Sequence, residues 1–185
     1  VSRLPIPCAI GVGSAECGLA LFADRVVEKC AERRAAKLRR RIGDDLDDPF
    51  EVELRRYIAV DEIGNVINPM VVDGQVHGGI TQGIAQALWE EAIYDEDGNL
   101  TTSSMHEYLV TSAAETIDYE LDRVNAPSPT NPLGVKGVGE TGTIAAPAAV
   151  MNAVIDALSH FGITELEMPA TPERSGPNGW GPTRT

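Results

Sequence analysis

Between Asn131 and Pro147 the chain reads Asn-Pro-Leu-Gly-Val-Lys-Gly-Val-Gly-Glu-Thr-Gly-Thr-Ile-Ala-Ala-Pro, with one carboxylate, Glu140, set among Gly134, Gly137, Gly139 and Gly142. Glycine allows backbone conformations and close approaches denied to other residues, so this stretch is expected to form a loop able to wrap a bulky polar group. Glu140 is then its one acid. The alternative is a solvated surface turn with an incidental Glu. Beyond the loop, Ala148, Val150, Met151, Val154, Ile155 and Leu158 follow a helical period from Pro147 to Phe161. A Pro in the first turn and Gly162 at the end frame that helix.

A chain of 185 residues, 43% of them hydrophobic, is long enough for one compact domain, or for a domain with an appendage. No apolar run approaches the roughly 20 residues needed to span a bilayer, and no charged-then-apolar leader opens the sequence. A soluble, cytoplasmic protein is therefore expected. Cys8, Cys17 and Cys30 show neither metal-ligand spacing nor an even count, so reduced thiols are expected. Eight Lys or Arg against Glu28 and Glu32 between residues 25 and 41 make a local +6 within a net charge of -13, leaving -19 elsewhere. That balance argues against nucleic-acid binding, which needs a broad basic surface. The basic run from Arg33 to Arg41 is instead expected to be the wet face of a helix.

Residues 1–18 read as loop around Gly11-Val-Gly13-Ser14. From Leu19 to Arg41, apolar positions at three- and four-residue steps predict an amphipathic helix. Gly43-Asp-Asp-Leu-Asp-Asp-Pro49 predicts an acidic linker, because the position-by-position pattern of a calcium loop is missing. Glu51 to Asp61 reads as one strand ending in a turn at Glu62–Asn65, and a second short apolar piece stops at Asn68-Pro69. Ala92 to Leu100 reads as a strand meeting a turn at Asp97-Gly98, Tyr108 to Ala114 as weakly helical, Thr116 to Val124 and Thr164 to Met168 as strands, and the tail from Ser175 as mobile turns. No repeat, Walker loop, dinucleotide fingerprint or Ser/His/Asp triad is identifiable. Strands and helices mix without a strict βαβ rhythm, so the expected class is α+β, with mixed sheet strands packed on helices.

The second dense segment runs from Asp73 to Glu91. Ile80, Ile84, Ala87 and Leu88 suit a helix, and Gly79 and Gly83 fall one turn apart on one face. Glycines cost about 1 kcal/mol each in a helix interior, so backbone or ligand is expected to press on that face. The amides of Gln75 and Gln82 offer paired donors and acceptors for a heterocycle edge. His77 lacks a second ligand at metal spacing and reads as structural.

Val72-Asp-Gly-Gln-Val-His-Gly-Gly-Ile-Thr-Gln-Gly-Ile-Ala-Gln-Ala-Leu88 and Ser128-Pro-Thr-Asn-Pro-Leu-Gly-Val-Lys-Gly-Val-Gly-Glu-Thr-Gly142 together resemble the large subunit of the molybdenum hydroxylases, the xanthine dehydrogenase and aldehyde oxidase family. Asn131-Pro-Leu-Gly-Val-Lys136, with Met168-Pro-Ala-Thr-Pro-Glu-Arg174, resembles most closely the branch that holds the carbon monoxide dehydrogenase large chain. The similarity covers residues 51–174, read as the C-terminal part of the second molybdopterin-binding domain. Residues 1–50 read as an N-terminal loop, basic helix and acidic linker, and 175–185 as a flexible tail. Residues 11–41 only weakly match a glycine/serine loop and helix earlier in that domain, and the family's first molybdenum domain has no counterpart. A fragment and a natural truncation are both compatible with that pattern.

The resemblance implies a molybdenum–pyranopterin cofactor, as a cytosine dinucleotide, and oxidation of an aldehyde, an N-heterocycle or carbon monoxide with water-derived oxygen. It implies Glu140 as general base, Gln75 as hydrogen-bonding partner of the pterin, and Gly78, Gly79 and Gln82 along its approach. Gly137, Val138 and Gly139 would lie beside the metal, with Gly13 and Ser14 as a further contact. No residue of this chain is implied as a metal ligand. The implied partners are an FAD-binding medium subunit, a [2Fe-2S] iron–sulfur small subunit and a small-molecule substrate. The alternative is a catalytically inactive remnant serving only as a subunit-interaction module.

Overall fold

The computed structural model describes residues 36–40, 50–159 and 163–171. Among these residues lie four strands and two helices: β1 (Ala36–Arg40), β2 (Phe50–Leu54), β3 (Tyr57–Glu62), α1 (Pro69–Leu88), β4 (Tyr119–Val124) and α2 (Thr141–Leu158). β1 and β2 form an antiparallel pair, and β3 and β4 a parallel one. The class is α+β, as expected, with α1 lying in the connection between the parallel strands.

α1 begins where Asn68, in extended conformation, caps it by accepting from the Val71 N–H at 3.3 Å, and Pro69 opens the first turn. Both residues are favoured there, Asn because its side chain satisfies an orphan amide and Pro because its fixed φ suits the first turn. α2 starts at Thr141, six residues before the Pro147 that sequence would place in its first turn. The glycine-rich stretch therefore contributes Gly142 to the helix itself.

The two helices cross on small residues. A Cβ on Gly142 would stand 2.5 Å from the Val76 carbonyl oxygen, and one on Gly83 would stand 2.5 Å from the Ala146 Cβ. Beyond the crossing, Val76, Ile80, Ile84, Ala87 and Leu88 of α1 meet Val150, Met151, Val154 and Leu158 of α2 in one buried cluster. Each fully buried Val, Ile or Leu contributes roughly 1.5–3 kcal/mol. α2 is long and apolar enough to cross a membrane by length and composition, contrary to the sequence expectation that no run would be. In this fold its apolar stripe faces α1.

Four further expectations change. Residues 36–40, assigned by periodicity to the end of a basic helix, are strand β1, whose register sets Lys37 opposite Glu53 and Arg39 opposite Glu51. Helical periodicity does not count a partner strand, and here the backbone pairs with β2. The single strand expected over 51–61 divides at Arg55-Arg56 into β2 and β3, which pair with different partners. Thr164 to Met168 forms no ladder among the described residues. Ile163 and Leu166 rest on the core there, and the Ala170 N–H donates to the Ala87 carbonyl at 2.7 Å. Between α1 and β4 the chain makes a turn closed by a Tyr94–Leu100 bridge, then further turns where weak helix was expected over 108–114. The expected helix over 19–35, the acidic linker 43–49 and the tail 175–185 lie outside the described residues.

The crossing gives opposite expectations for two glycines of α1 and α2. Gly142→Ala must displace backbone and should destabilise the chain by about 1–3 kcal/mol. Gly78, where a Cβ meets nothing within 4 Å, should gain roughly 0.5–1 kcal/mol as Ala. Urea unfolding of the two variants beside the parent measures both signs.

Candidate functional site

The loop between β4 and α2 is fastened at its near end. Asn131 folds it on itself, its Nδ2 donating to the Val135 carbonyl at 2.9 Å and its Oδ1 accepting from the Val135 N–H at 3.1 Å. The Gly134 carbonyl accepts from the backbone of both Asn65 and Ser128. Asn65 Nδ2 adds a bond to the Leu133 carbonyl at 2.8 Å. This contact needs glycine on both sides. Gly64 and Gly134 have φ of +67° and +64°, and a Cβ on Gly64 would lie 2.5 Å from the Gly134 oxygen.

The far end carries the residues that the sequence singles out. Glu140 is exposed and occupies the cap position of α2 without making a side-chain cap bond. Its backbone carbonyl accepts from the Thr143 and Ile144 N–H groups. The positive end of a helix dipole favours a negative group at this position. Gln75, on α1, donates from Nε2 to the Gly139 carbonyl at 2.7 Å. Two motifs that lie 64 residues apart thus meet in space.

Of the other residues named from sequence, Gly78 and Gln82 lie exposed on α1, and with Gln75 they follow an i, i+3, i+7 spacing along one face. Gly137 and Gly139 are exposed too. A Cβ on Gly78, Gly137 or Gly139 would meet nothing within 4 Å, so an extended group has room against these backbones. Gly79 is different. It is buried with Thr143 N 3.0 Å from where its Cβ would be, and its carbonyl accepts from Thr143 Oγ1 at 3.1 Å. Its glycine serves the helix crossing, which is the backbone pressure the sequence implied. Val138 is half-buried against the core. Gly13 and Ser14 lie outside the described residues. The sequence reading overlooked Lys136, Glu62, Asn65, Asn131 and Thr143, although Lys136 and Asn131 stood inside the glycine-rich stretch itself.

A second polar cluster joins the parallel strands to α1. Arg123 pairs with Asp73, and the Tyr119 hydroxyl meets Thr81 Oγ1 at 2.9 Å. His77 hydrogen-bonds the Asp73 carbonyl at 2.7 Å, with its ring 5.6 Å from that of Tyr119. Asp73, His77, Tyr119 and Arg123, with Leu121 and Asp122, line an open depression of about 500 Å³. His77 is exposed, and among the described residues its ring bonds only to the backbone of its own helix. Among the described residues no group of three or more His, Cys, Asp or Glu side chains is placed to hold a metal.

Asp61, opposite Arg123 in the parallel register, has its carboxyl raised above the ordinary 3.8, chiefly by burial, with the Arg123 charge opposing. A carboxyl that holds its proton more tightly in the fold stabilises it at low pH, and that contribution is lost as pH rises from 3.8 through the raised value. Asp61→Asn should therefore be more stable than the parent at neutral pH and lose less stability between pH 4 and 7. Urea midpoints across that range read both effects.

A family model described as molybdopterin cofactor-binding domain matches residues 47–117. Over 123 residues the chain is 45% identical to the nicotine 6-hydroxylase large subunit of Paenarthrobacter nicotinovorans, covering 66% of this chain and 15% of that protein. Over 124 residues it is 40% identical to the carbon monoxide dehydrogenase large chain of Hydrogenophaga pseudoflava, covering 67% and 15%. The crystal structure of quinoline 2-oxidoreductase from Pseudomonas putida 86 superposes with a TM-score of 0.65 at 44% identity, over 67% of this chain and 16% of that one. The chain spans about 15% of the length of the curated relatives it matches.

Proposed function

This chain belongs to the molybdenum hydroxylase large-subunit family, and from that premise we propose that it supplies the general base and part of the pterin-binding wall of such an enzyme. The single observation that carries the reading is the bond from Gln75 to the Gly139 carbonyl, which brings the helix motif beside the exposed Glu140. When bound, the molybdenum–pyranopterin supplies the oxygen-transfer and two-electron chemistry. The residues fit such a group. Gly78, Gly137 and Gly139 leave an open, side-chain-free surface, and Gln75 and Gln82 place amides along it.

The reaction class is oxidation with water-derived oxygen, which yields the oxygenated product, two electrons and two protons. Glu140 takes a proton from the attacking oxygen, a role that needs a carboxylate within hydrogen-bond reach. Gln75 and Gln82 orient the pterin by its hydrogen-bonding edge. Backbone N–H groups of the glycine loop contribute fixed dipoles at the place where charge develops. The substrate class is an aldehyde, an N-heterocycle or carbon monoxide, and the cofactor is the cytosine dinucleotide form. Electrons leave through an iron–sulfur small subunit and an FAD-binding medium subunit, in the cytoplasm. The subunit vocabulary of the relatives supports a multi-chain assembly.

In a complete large subunit, Glu140→Gln should lower turnover by at least about 10²-fold, the lower end of what a positioned acid–base group contributes, while molybdenum content stays at the parent level. Metal analysis with steady-state assay of the purified variant checks both, and retained turnover would sink the assignment.

A further inference from the structure

Glu140 stands at the end of a loop whose tip has no side-chain packing of its own at Gly137 or Gly139. A base on such a loop is effective only if something else fixes its position, because a misplacement of about 1 Å costs on the order of 10²-fold in rate. The described structure contains two attachments that flank the tip. On the near side, Lys136 Nζ lies 2.5 Å from Glu62 Oε2, with the two side chains only 28% and 17% exposed. The other oxygen of the same carboxylate accepts the Gly64 N–H at 3.1 Å. Glu62 thus joins the end of β3, the Gly64 turn and the glycine loop through one carboxylate. On the far side stands the bond from Gln75 Nε2 to the Gly139 carbonyl, 2.7 Å long.

The second attachment has a geometric consequence. The carbonyl of Gly139 and the N–H of Glu140 belong to one planar peptide unit. Holding that oxygen on α1 therefore fixes the plane from which the Glu140 Cα departs. The first attachment sets where the loop begins, and the second sets the direction in which it ends. A half-buried ion pair holds position better than a solvated one, because its partners are screened less, and charge-assisted bonds are shorter and stronger than neutral ones.

We propose that Lys136, anchored by Glu62, and Gln75, anchoring Gly139, are positioning residues that set the Glu140 carboxylate. This assignment rests on the reading of Glu140 as general base. It gives Gln75 a role toward its own chain in addition to any toward the pterin.

Hydrogen exchange in the full 185-residue chain tests the tether without any cofactor. The N–H groups of Asn65, Val135 and Thr141 donate to Gly134 O, Asn131 Oδ1 and Val138 O and so report on the loop. The amides of Ile84 and Val154 report on the helix pair. Lys136→Met should speed exchange at Asn65 and Val135, and Gln75→Leu at Thr141, roughly tenfold or more, as expected for loss of a bond to a charged or well-aligned group. Ile84 and Val154 should stay at the parent rate, and Lys136→Arg should behave as the parent. Equal acceleration in the helices, or none in the loop, overturns the proposal.

In the complete large subunit, Lys136→Met and Gln75→Leu should lower kcat per bound molybdenum by about 10²-fold with little change in KM. Glu140→Gln assayed beside them separates the two claims. An active Glu140→Gln enzyme removes the base reading whatever exchange shows. An inactive one, accompanied by full kcat in the two tether variants, overturns the positioning role alone.

Discussion

The close crossing of α1 and α2 is the constraint on which the other features depend. Gly79, Gly83 and Gly142 let two backbones approach until the missing Cβ atoms would stand between 2.5 and 3.0 Å from their nearest neighbours. At that separation the helices have little freedom to slide, since interiors are packed as densely as organic crystals. The apolar residues that follow, from Ile80 to Leu88 and from Val150 to Leu158, then close a single core. Glycine weakens each helix taken alone by about 1 kcal/mol per residue. The gain comes from contact between the buried faces that run from Val76 to Leu88 and from Gly142 to Leu158, which larger residues at the crossing would prevent.

That crossing also decides where the carboxylate stands. Glu140 immediately precedes the first turn of α2, and Gly142 in that turn touches α1 at Val76 and Ile80. A helix start held this firmly leaves Glu140 little freedom on its C-terminal side. On its N-terminal side the loop is flexible in itself, and polar bonds take over from packing. Asn131, Asn65 and the Lys136–Glu62 pair hold the base of the loop, and Gln75 holds its tip. The result is an exposed acid on a rigid mount, as expected of a group that must meet a ligand in one orientation.

The parallel pair β3–β4 contributes in a different way. Arg123 and Tyr119 bind it to α1 through Asp73 and Thr81, so the strand that ends at Glu62 keeps its position relative to the helix that bears Gln75. Burial of Asp61 at the centre of this arrangement carries an electrostatic cost, seen in its raised carboxyl, and Arg123 offsets part of it. Strand, helix and loop thus form one frame around the carboxylate.

Much of this was legible in the residues. Asn68-Pro69 is a recognisable helix start, the Gly79/Gly83 spacing announced a close neighbour, and the Glu140 loop with the Gln75 helix carried the family resemblance. Each of these signals is local, written in residue type and short spacing. What sequence left undecided was mostly a matter of partners far along the chain. Residues 36–40 carry a helical period but lie in a strand, because their backbone pairs with Phe50–Leu54. The neighbour of Gly79 could have been ligand or protein, and only the fold identifies it as Thr143 and Gly142. Lys136 looked like one more residue of a glycine loop until β3 brought Glu62 to it. The sequence alone determined which groups were available, because composition and spacing are intrinsic to it. Only the tertiary structure decided which of them meet, because a contact across 64 or 74 residues depends on how two helices and a strand pack and not on any periodicity.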